Sequence, residues 1–157
     1  MYGMLNKDEF IMDGINTRLD ELQAAILNVK LNYLDSMNLI RNKKVQLYKK
    51  LLNENYYTFQ LIQEDVFSVH HVLCVKVEGL SRDGLTHYLN DKRIESNIYY
   101  PMPLNEQVGY KKYFSRQFDL PNCVELTKKI IALPLYPEIE NTKIEKVCSY
   151  LNSYINI

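Results

Sequence analysis

The strongest pattern in the chain is a run of apolar residues spaced by three, four and seven. It passes from Leu19 through Leu22, Ile26, Val29, Tyr33, Met37, Ile40 and Leu47 to Leu51. At about 100° per residue these positions share one narrow arc, the mark of an amphipathic helix. The spacing predicts one helix, or two nearly collinear ones, over residues 17–53. At ~1.5 Å per residue such an element reaches roughly 55 Å, longer than a small domain is wide. Asn16 or Thr17 is placed to cap it, Thr17 and Asp20 have the spacing of a loose capping box, and Asp20 and Glu21 suit the positive end of the helix dipole. A second stripe, Ala24, Leu27, Leu31 and Leu34, lies on the opposite face. Apolar groups on two opposed faces require burial on both, by a second layer, a further domain or a partner subunit. The alternative is a central helix in a compact bundle, for which the rest of the chain supplies little helix.

Beyond a polar, aromatic-rich connection the period shifts to two. Residues 69–77 read as a strand, with His71, Leu73, Val75 and Val77 on one face and His70, Val72, Cys74 and Lys76 on the other. Gly79 turns the chain and Ser81 caps a helix whose apolar side is Leu85, Tyr88 and Leu89. Residues 94–100 suggest another strand, stopped by Pro101 and Pro103. A helix is expected over residues 121–132, with proline in its first turn, and a last amphipathic helix uses Ile144, Val147, Cys148 and Leu151. The fold class this order predicts is α/β (α+β): a long first helix, then a small sheet covered mainly on one side by helices.

Composition narrows the function classes. At 157 residues the chain suffices for one domain with a real core and is short for two. Nineteen basic and nineteen acidic residues leave no net charge, which argues against nucleic acid as a partner, because phosphate neutralisation supplies most of that affinity. No apolar run approaches the ~20 residues of a membrane span, and no export signal opens the chain, so a cytoplasmic location without a membrane is expected. Cys74, Cys123 and Cys148 are widely and irregularly spaced, which suits small buried thiols rather than a disulfide framework or a zinc site. His70 and His71, as strand neighbours, cannot face one metal, and His87 has no acidic or Cys partner at ligand spacing, so no metal is expected. No Gly-rich phosphate loop or nucleophile elbow occurs, and no lysine sits in an apolar stretch that would lower its pKa. These residues alone do not make an enzyme.

One segment changes that picture. Gly14-Ile15-Asn16-Thr17-Arg18-Leu19-Asp20-Glu21-Leu22-Gln23-Ala24-Ala25 closely resembles the G-x-N-x-R-[LM]-[DN]-E-[LI]-Q-A-A motif of the DegT-type sugar aminotransferases, fold-type I enzymes of pyridoxal 5'-phosphate (PLP). Tyr2-Gly3 resembles the Y-G that precedes that motif. His71-Val72-Leu73-Cys74-Val75-Lys76-Val77 resembles the family's H-L-Y-V-I-R-V strand, and Arg82-Asp83-Gly84-Leu85 its R-D-x-L helix start. Tyr100-Pro101-Met102-Pro103-Leu104 with Gln107 resembles Y-P-x-P-L-H-x-Q, and residues 133–138 resemble L-P-[ML]-[YH]-P-E. The matches follow the family's order along nearly the whole chain.

The resemblance implies a C-terminal portion. In the family the large N-terminal domain holds the cofactor lysine and most phosphate-binding residues, and this chain is expected to begin roughly where that domain ends. Residues 1–16 would finish the connection from the large domain, 17–55 would form the interdomain or dimer helix, and 56–157 the small C-terminal domain. No catalytic residue is then expected in the chain itself. Asn16 resembles the family asparagine that reaches across a homodimer to the neighbour's PLP phosphate, with Arg18 close to the same site; the other reading of Asn16 is a helix cap. Tyr99, Tyr100 and Asn105 fall where the family approaches the nucleotide-sugar pocket, and the two tyrosines read equally well as core aromatics of a strand. Departures occur there: Tyr99 and Asn105 stand where the family often has histidines, and Arg93 where it commonly has glycine. The implied function is part of an aminotransferase that converts a nucleotide-linked keto sugar to an amino sugar for surface polysaccharides, with glutamate as nitrogen donor. Two alternatives stand beside it. One is a PLP-dependent sugar dehydratase of the same family; the other is a non-catalytic orphan fragment acting as a dimerisation or binding module.

Overall fold

A computed structural model describes residues 4–6, 9–10, 19–111 and 118–156. The elements are β1 (Met4–Asn6), β2 (Glu9–Phe10), α1 (Glu21–Leu31), α2 (Leu34–Leu51), β3 (Tyr57–Phe59), β4 (Leu73–Val77), α3 (Arg82–Asp91), a 3-10 turn (Leu104–Glu106), α4 (Val108–Lys111), α5 (Pro121–Lys129), β5 (Ile130–Leu133) and α6 (Asn141–Tyr154). They belong to two compact units, Met1–Ser36 and Met37–Ile157.

In the first unit β1 and β2 pair antiparallel, a ladder that the hydrophobic pattern did not reveal. α1 starts at Glu21, later than the expected position 17, because Asp20 holds the extended backbone of an N-cap (φ −66°, ψ 145°) and its carbonyl accepts from Ala24 N–H at 2.9 Å. Asn16 and Thr17 lie outside the described residues. No residue of α1 is buried. Leu22 and Val29 on one stripe are 73% and 61% exposed, and Leu27 and Leu31 on the other 54% and 65%. The expected run to residue 53 is interrupted by a turn at Asn32 and Tyr33, where Tyr33 N–H donates to the Lys30 carbonyl at 3.1 Å.

The second unit holds the core. Its antiparallel sheet has the order β3-β4-β5, with β4 in the centre. Pairing of Leu73 with Leu133, Val75 with Ile131 and Tyr57 with Val77 sets one face of large apolar side chains. Against that face pack Val45, Tyr48 and Leu52 from α2 and its end, Leu85 and Leu89 from α3, and Ile144, Val147, Cys148 and Leu151 from α6. Each large aliphatic group so buried contributes roughly 1.5–3 kcal/mol. Two buried tyrosines keep their hydroxyls satisfied: Tyr48 donates to the Pro134 carbonyl at 2.8 Å and Tyr57 to the Leu151 carbonyl at 2.6 Å. The opposite face, with Cys74, Lys76 and Ile130, meets α5. Lys76 and Lys129 there share Glu78 and Glu125 in a four-membered ion ring with separations of 2.7–3.5 Å.

The Ser81 cap of α3 and the apolar sides of α3 and α6 agree with the sequence. Ser81 Oγ accepts from Gly84 N–H at 3.1 Å, and Leu85, Leu89, Ile144, Val147, Cys148 and Leu151 are all buried. Five expectations need correction, the first being that all three cysteines are buried thiols, since Cys123 on α5 is exposed. On α2 the fully buried positions are Asn38, Val45 and Tyr48, so the core face is centred away from the Ile40–Leu47–Leu51 arc, of which Leu47 and Leu51 pack half-buried at its margin. The strand expected over 69–77 begins only at Leu73, because His70 adopts a left-handed φ of 45° that ends any extended ladder. His70 and His71 therefore precede the strand, and their opposed-face argument does not apply. Residues 94–100 form a single bridge, Asn97 to Ala132, rather than a strand, following Arg93 at φ 58°. The helix expected to reach Ala132 stops at Lys129, because Ile130 turns extended (φ −81°, ψ 137°) and enters β5.

Candidate functional site

Three stretches far apart in sequence meet at one cleft of about 330 Å³. They are His71 with Val72 before β4, residues Glu95, Ser96, Asn97 and Tyr99, and the end of β5 running on to Tyr136. Each wall has its own anchor. Asn97 exchanges both backbone hydrogen bonds with Ala132, at 3.2 and 2.7 Å, which holds the middle stretch on the edge of β5. The Tyr48 hydroxyl grips the Pro134 carbonyl and so ties the second wall to α2. The third is reached through Asn42, whose Nδ2 donates to the Ser68 carbonyl at 2.7 Å, while Ser68 Oγ accepts from His70 N–H. Burial, and then the nearby Lys49 charge, lower the His70 pKa, which favours the neutral ring beside this wall.

The cleft offers an imidazole, a carboxylate, a hydroxyl, an amide and two phenols among its lining residues. That set suits a ligand rich in hydroxyl groups, which both donate and accept hydrogen bonds.

The expected site residues separate. Tyr99 lines this cleft, whereas Tyr100 lines a second cavity of about 490 Å³ with Met102, Leu104, Gln107 and Gly109. The two rings touch edge to face, with centres 5.7 Å apart and planes at 73°. Both are exposed, which disposes of the alternative that they are core aromatics of a strand. Asn105 is half-buried in the 3-10 turn and lines neither cavity. Asn16 and Arg18 lie outside the described residues. Glu95, Ser96, Asn97 and Tyr136 were not singled out from sequence. The family-like stretch over 133–138 was the signal available for Tyr136, but nothing local places Glu95 beside it.

Neither cavity has a lysine or arginine among its described lining residues, the groups that would hold a phosphorylated aldehyde. The described lining of these two cavities does not fit PLP.

Comparison with known proteins gives the context. The model of the DegT/DnrJ/EryC1/StrS aminotransferase family matches residues 2–152. The dTDP-3-amino-3,6-dideoxy-alpha-D-galactopyranose transaminase of Aneurinibacillus thermoaerophilus is 31% identical over 153 residues, covering 98% of this chain and 41% of the relative. The dTDP-3-amino-3,4,6-trideoxy-alpha-D-glucose transaminase of Streptomyces venezuelae is 29% identical over 93% of this chain and 38% of its own length. Among solved structures, S. venezuelae DesV in complex with a ketimine intermediate superposes with a TM-score of 0.85 at 27% identity, covering 99% of this chain and 42% of DesV. An aminotransferase of this family from Brucella abortus superposes with a TM-score of 0.83, also at 27% identity, over 98% of this chain and 40% of that one. The chain thus spans about two fifths of the proteins it matches. Among the described residues no helix is long and apolar enough to cross a membrane.

Proposed function

The chain belongs to the DegT/DnrJ/EryC1/StrS aminotransferase family, and from that membership we propose that it is the C-terminal part of a nucleotide-sugar aminotransferase. The complete enzyme would move an amino group from glutamate to a nucleotide-linked keto sugar, for amino sugars of surface polysaccharides. PLP, when bound there, supplies the electron sink for that transfer.

This chain's share is binding and assembly. Its cleft orients the sugar through the hydrogen-bonding groups around Tyr99, and Tyr100 borders the same substrate from the neighbouring cavity. Asn105 stands on the turn beside Leu104. Asn16 and Arg18 reach across a homodimer to the PLP phosphate of the other subunit, while the lysine that carries the cofactor belongs to the remainder of the enzyme. The convergence of the family-like stretches at 71–77 and 133–138 with Tyr99 on one cleft carries this reading.

The state of α1 supports the assembly. An isolated helix shorter than ~12–15 residues is marginal in water, and α1 has 11 residues with none buried. Covering Leu22, Ile26, Leu27, Val29 and Leu31 would contribute roughly 1.5–3 kcal/mol each, enough to hold the helix. We assign one stripe to the rest of the enzyme and the other to the second subunit.

The test is a chimera in which this chain replaces the matched 41% of the Aneurinibacillus thermoaerophilus transaminase. Glutamate-dependent amination of a nucleotide-linked keto sugar, lost on Tyr99→Ala, is the expected result. A chimera that folds, dimerises and takes up PLP yet transfers no amino group to any such sugar would sink the proposal.

A further inference from the structure

Charge is segregated along a chain whose formal net charge is zero. α2 carries Arg41, Lys43, Lys44, Lys49 and Lys50 against one acid, Asp35. Two of these cations rest on neutral groups: Arg41 Nη1 donates to Asn38 Oδ1 at 2.8 Å, and Lys49 Nζ lies 5.7 Å from the centre of the Phe59 ring. The other three line one open groove of about 540 Å³ together with the amides of Gln46 and Asn141, over a wall of Ile40 and Leu47. No carboxylate is among its described lining residues.

The contrast with the ion ring is informative. Lys76 and Lys129 are each paired with two glutamates. Lys43, Lys44 and Lys50 form no ion pair among the described residues; Lys44 donates only to Asn141 Oδ1, at 2.7 Å, which leaves two of its three N–H groups for another acceptor.

We propose that this groove binds a small phosphate-bearing anion of the diphosphate class. Lysine presents a compact charge with rotatable donors, which suits phosphoryl oxygens that have no fixed fork geometry. Lys43 and Lys50 stand two helical turns apart, roughly 10.5 Å along the axis, a span that one phosphoryl group does not fill. The Gln46 and Asn141 amides supply further donors, and the aliphatic wall accommodates the carbon portion of a diphosphate ester. The groove shares no described lining residue with the two tyrosine-lined cavities.

The test takes the 157-residue chain and inorganic pyrophosphate, read by calorimetry and by amide chemical shifts. Saturable binding is expected, with the shifts concentrated at residues 40–50 and 141. K43Q/K50Q, which alters only exposed side chains, should bind at least tenfold more weakly, and K43R/K50R should retain binding. A second arm uses vesicles of phosphatidylglycerol in phosphatidylcholine. Sedimentation of the wild type without a response to pyrophosphate would assign the lysines to an anionic surface and not to a diphosphate, and so overturns the proposal; a response to pyrophosphate without sedimentation supports it. Absence of binding in both arms, or equal binding by K43Q/K50Q, overturns the proposal. Neither readout involves amino-group transfer, so the outcome is independent of the function proposed above.

Discussion

The Tyr48 hydroxyl, fully buried in the core, donates to the carbonyl of Pro134, a residue that lines the Tyr99 cleft, at 2.8 Å. One hydrogen bond therefore joins the packing of α2 to the shape of the candidate site. Tyr48→Phe keeps the ring and orphans the carbonyl, at a cost of about 1–2 kcal/mol. For a chain of this size the melting temperature should fall by roughly 2–4 °C per kcal/mol. Hydrogen exchange should speed up at residues 133–136 more than in α3. Uniform acceleration across both would show that the bond serves stability without setting the cleft.

Arg82 has a similar role at the back of the sheet. Its side chain is only 10% exposed, and Nη1 donates to the carbonyls of Thr127 and Ile130, both at 3.3 Å, where α5 ends and β5 begins. Arg82→Ala is expected to destabilise the chain by about 1.5–3 kcal/mol, the range for hydrogen bonds from a charged group. Arg82→Lys keeps the charge and loses the planar fork, so it should recover only part of that loss in a denaturant titration. Full recovery by lysine would mean that the charge, and not the two-carbonyl grip, is what matters.

Stability should decline in alkali. Burial, and then the Glu145 carboxylate, push the Cys148 thiol from its ordinary 9.0 up to about 12. Between those values the unfolded chain gives up the thiol proton and the folded chain keeps it, so the free energy of unfolding falls as pH rises through that window. Burial also raises the Tyr48 and Tyr57 hydroxyls above their ordinary range, which acts in the same direction. Urea midpoints measured from pH 8 to 11 should decrease, and Cys148→Ala should flatten the early part of the curve. A midpoint unchanged across that range would contradict the burial argument.

The open stripes of α1 predict self-association of the chain in solution. Gel filtration with light scattering should give a mass above that of one chain, and L27E/L31E should return it to the monomer. Because neither leucine is buried, the double substitution should leave the thermal transition of the second unit within about 0.5 kcal/mol of the wild type. A strictly monomeric wild type at high micromolar concentration would count against a partner subunit on this face.

Legibility from the sequence followed the length and regularity of each pattern. α3 and α6 carry a cap or a full 3.6-residue period, and their buried positions agree with the reading. β3 is three residues long inside an aromatic-rich connection, too short for an alternation to register. Ile130-Ile131-Ala132-Leu133 is a continuous apolar run of four, and so short a run does not separate helix from strand by periodicity. The arc drawn through Ile40, Leu47 and Leu51 caught only the margin of the core face of α2, where Leu47 and Leu51 pack half-buried, because Tyr48 enters the core by satisfying its hydroxyl at Pro134, a partner 86 positions away. The cleft was half legible for the same reason. Tyr99 was found through resemblance, whereas Glu95, Ser96 and Tyr136 become neighbours only through the pairing of Asn97 with Ala132.

The outermost strand, β3, bears on how copies of the chain can meet. With three residues, Tyr57–Phe59, it exposes a backbone fringe too brief to template a neighbour's strand, and on the far side Asn97 already occupies part of β5. Growth by strand addition is closed at both margins. Two copies that meet through the second unit are left to do so by surfaces other than this sheet's margins, where side chains and not peptide groups decide the fit.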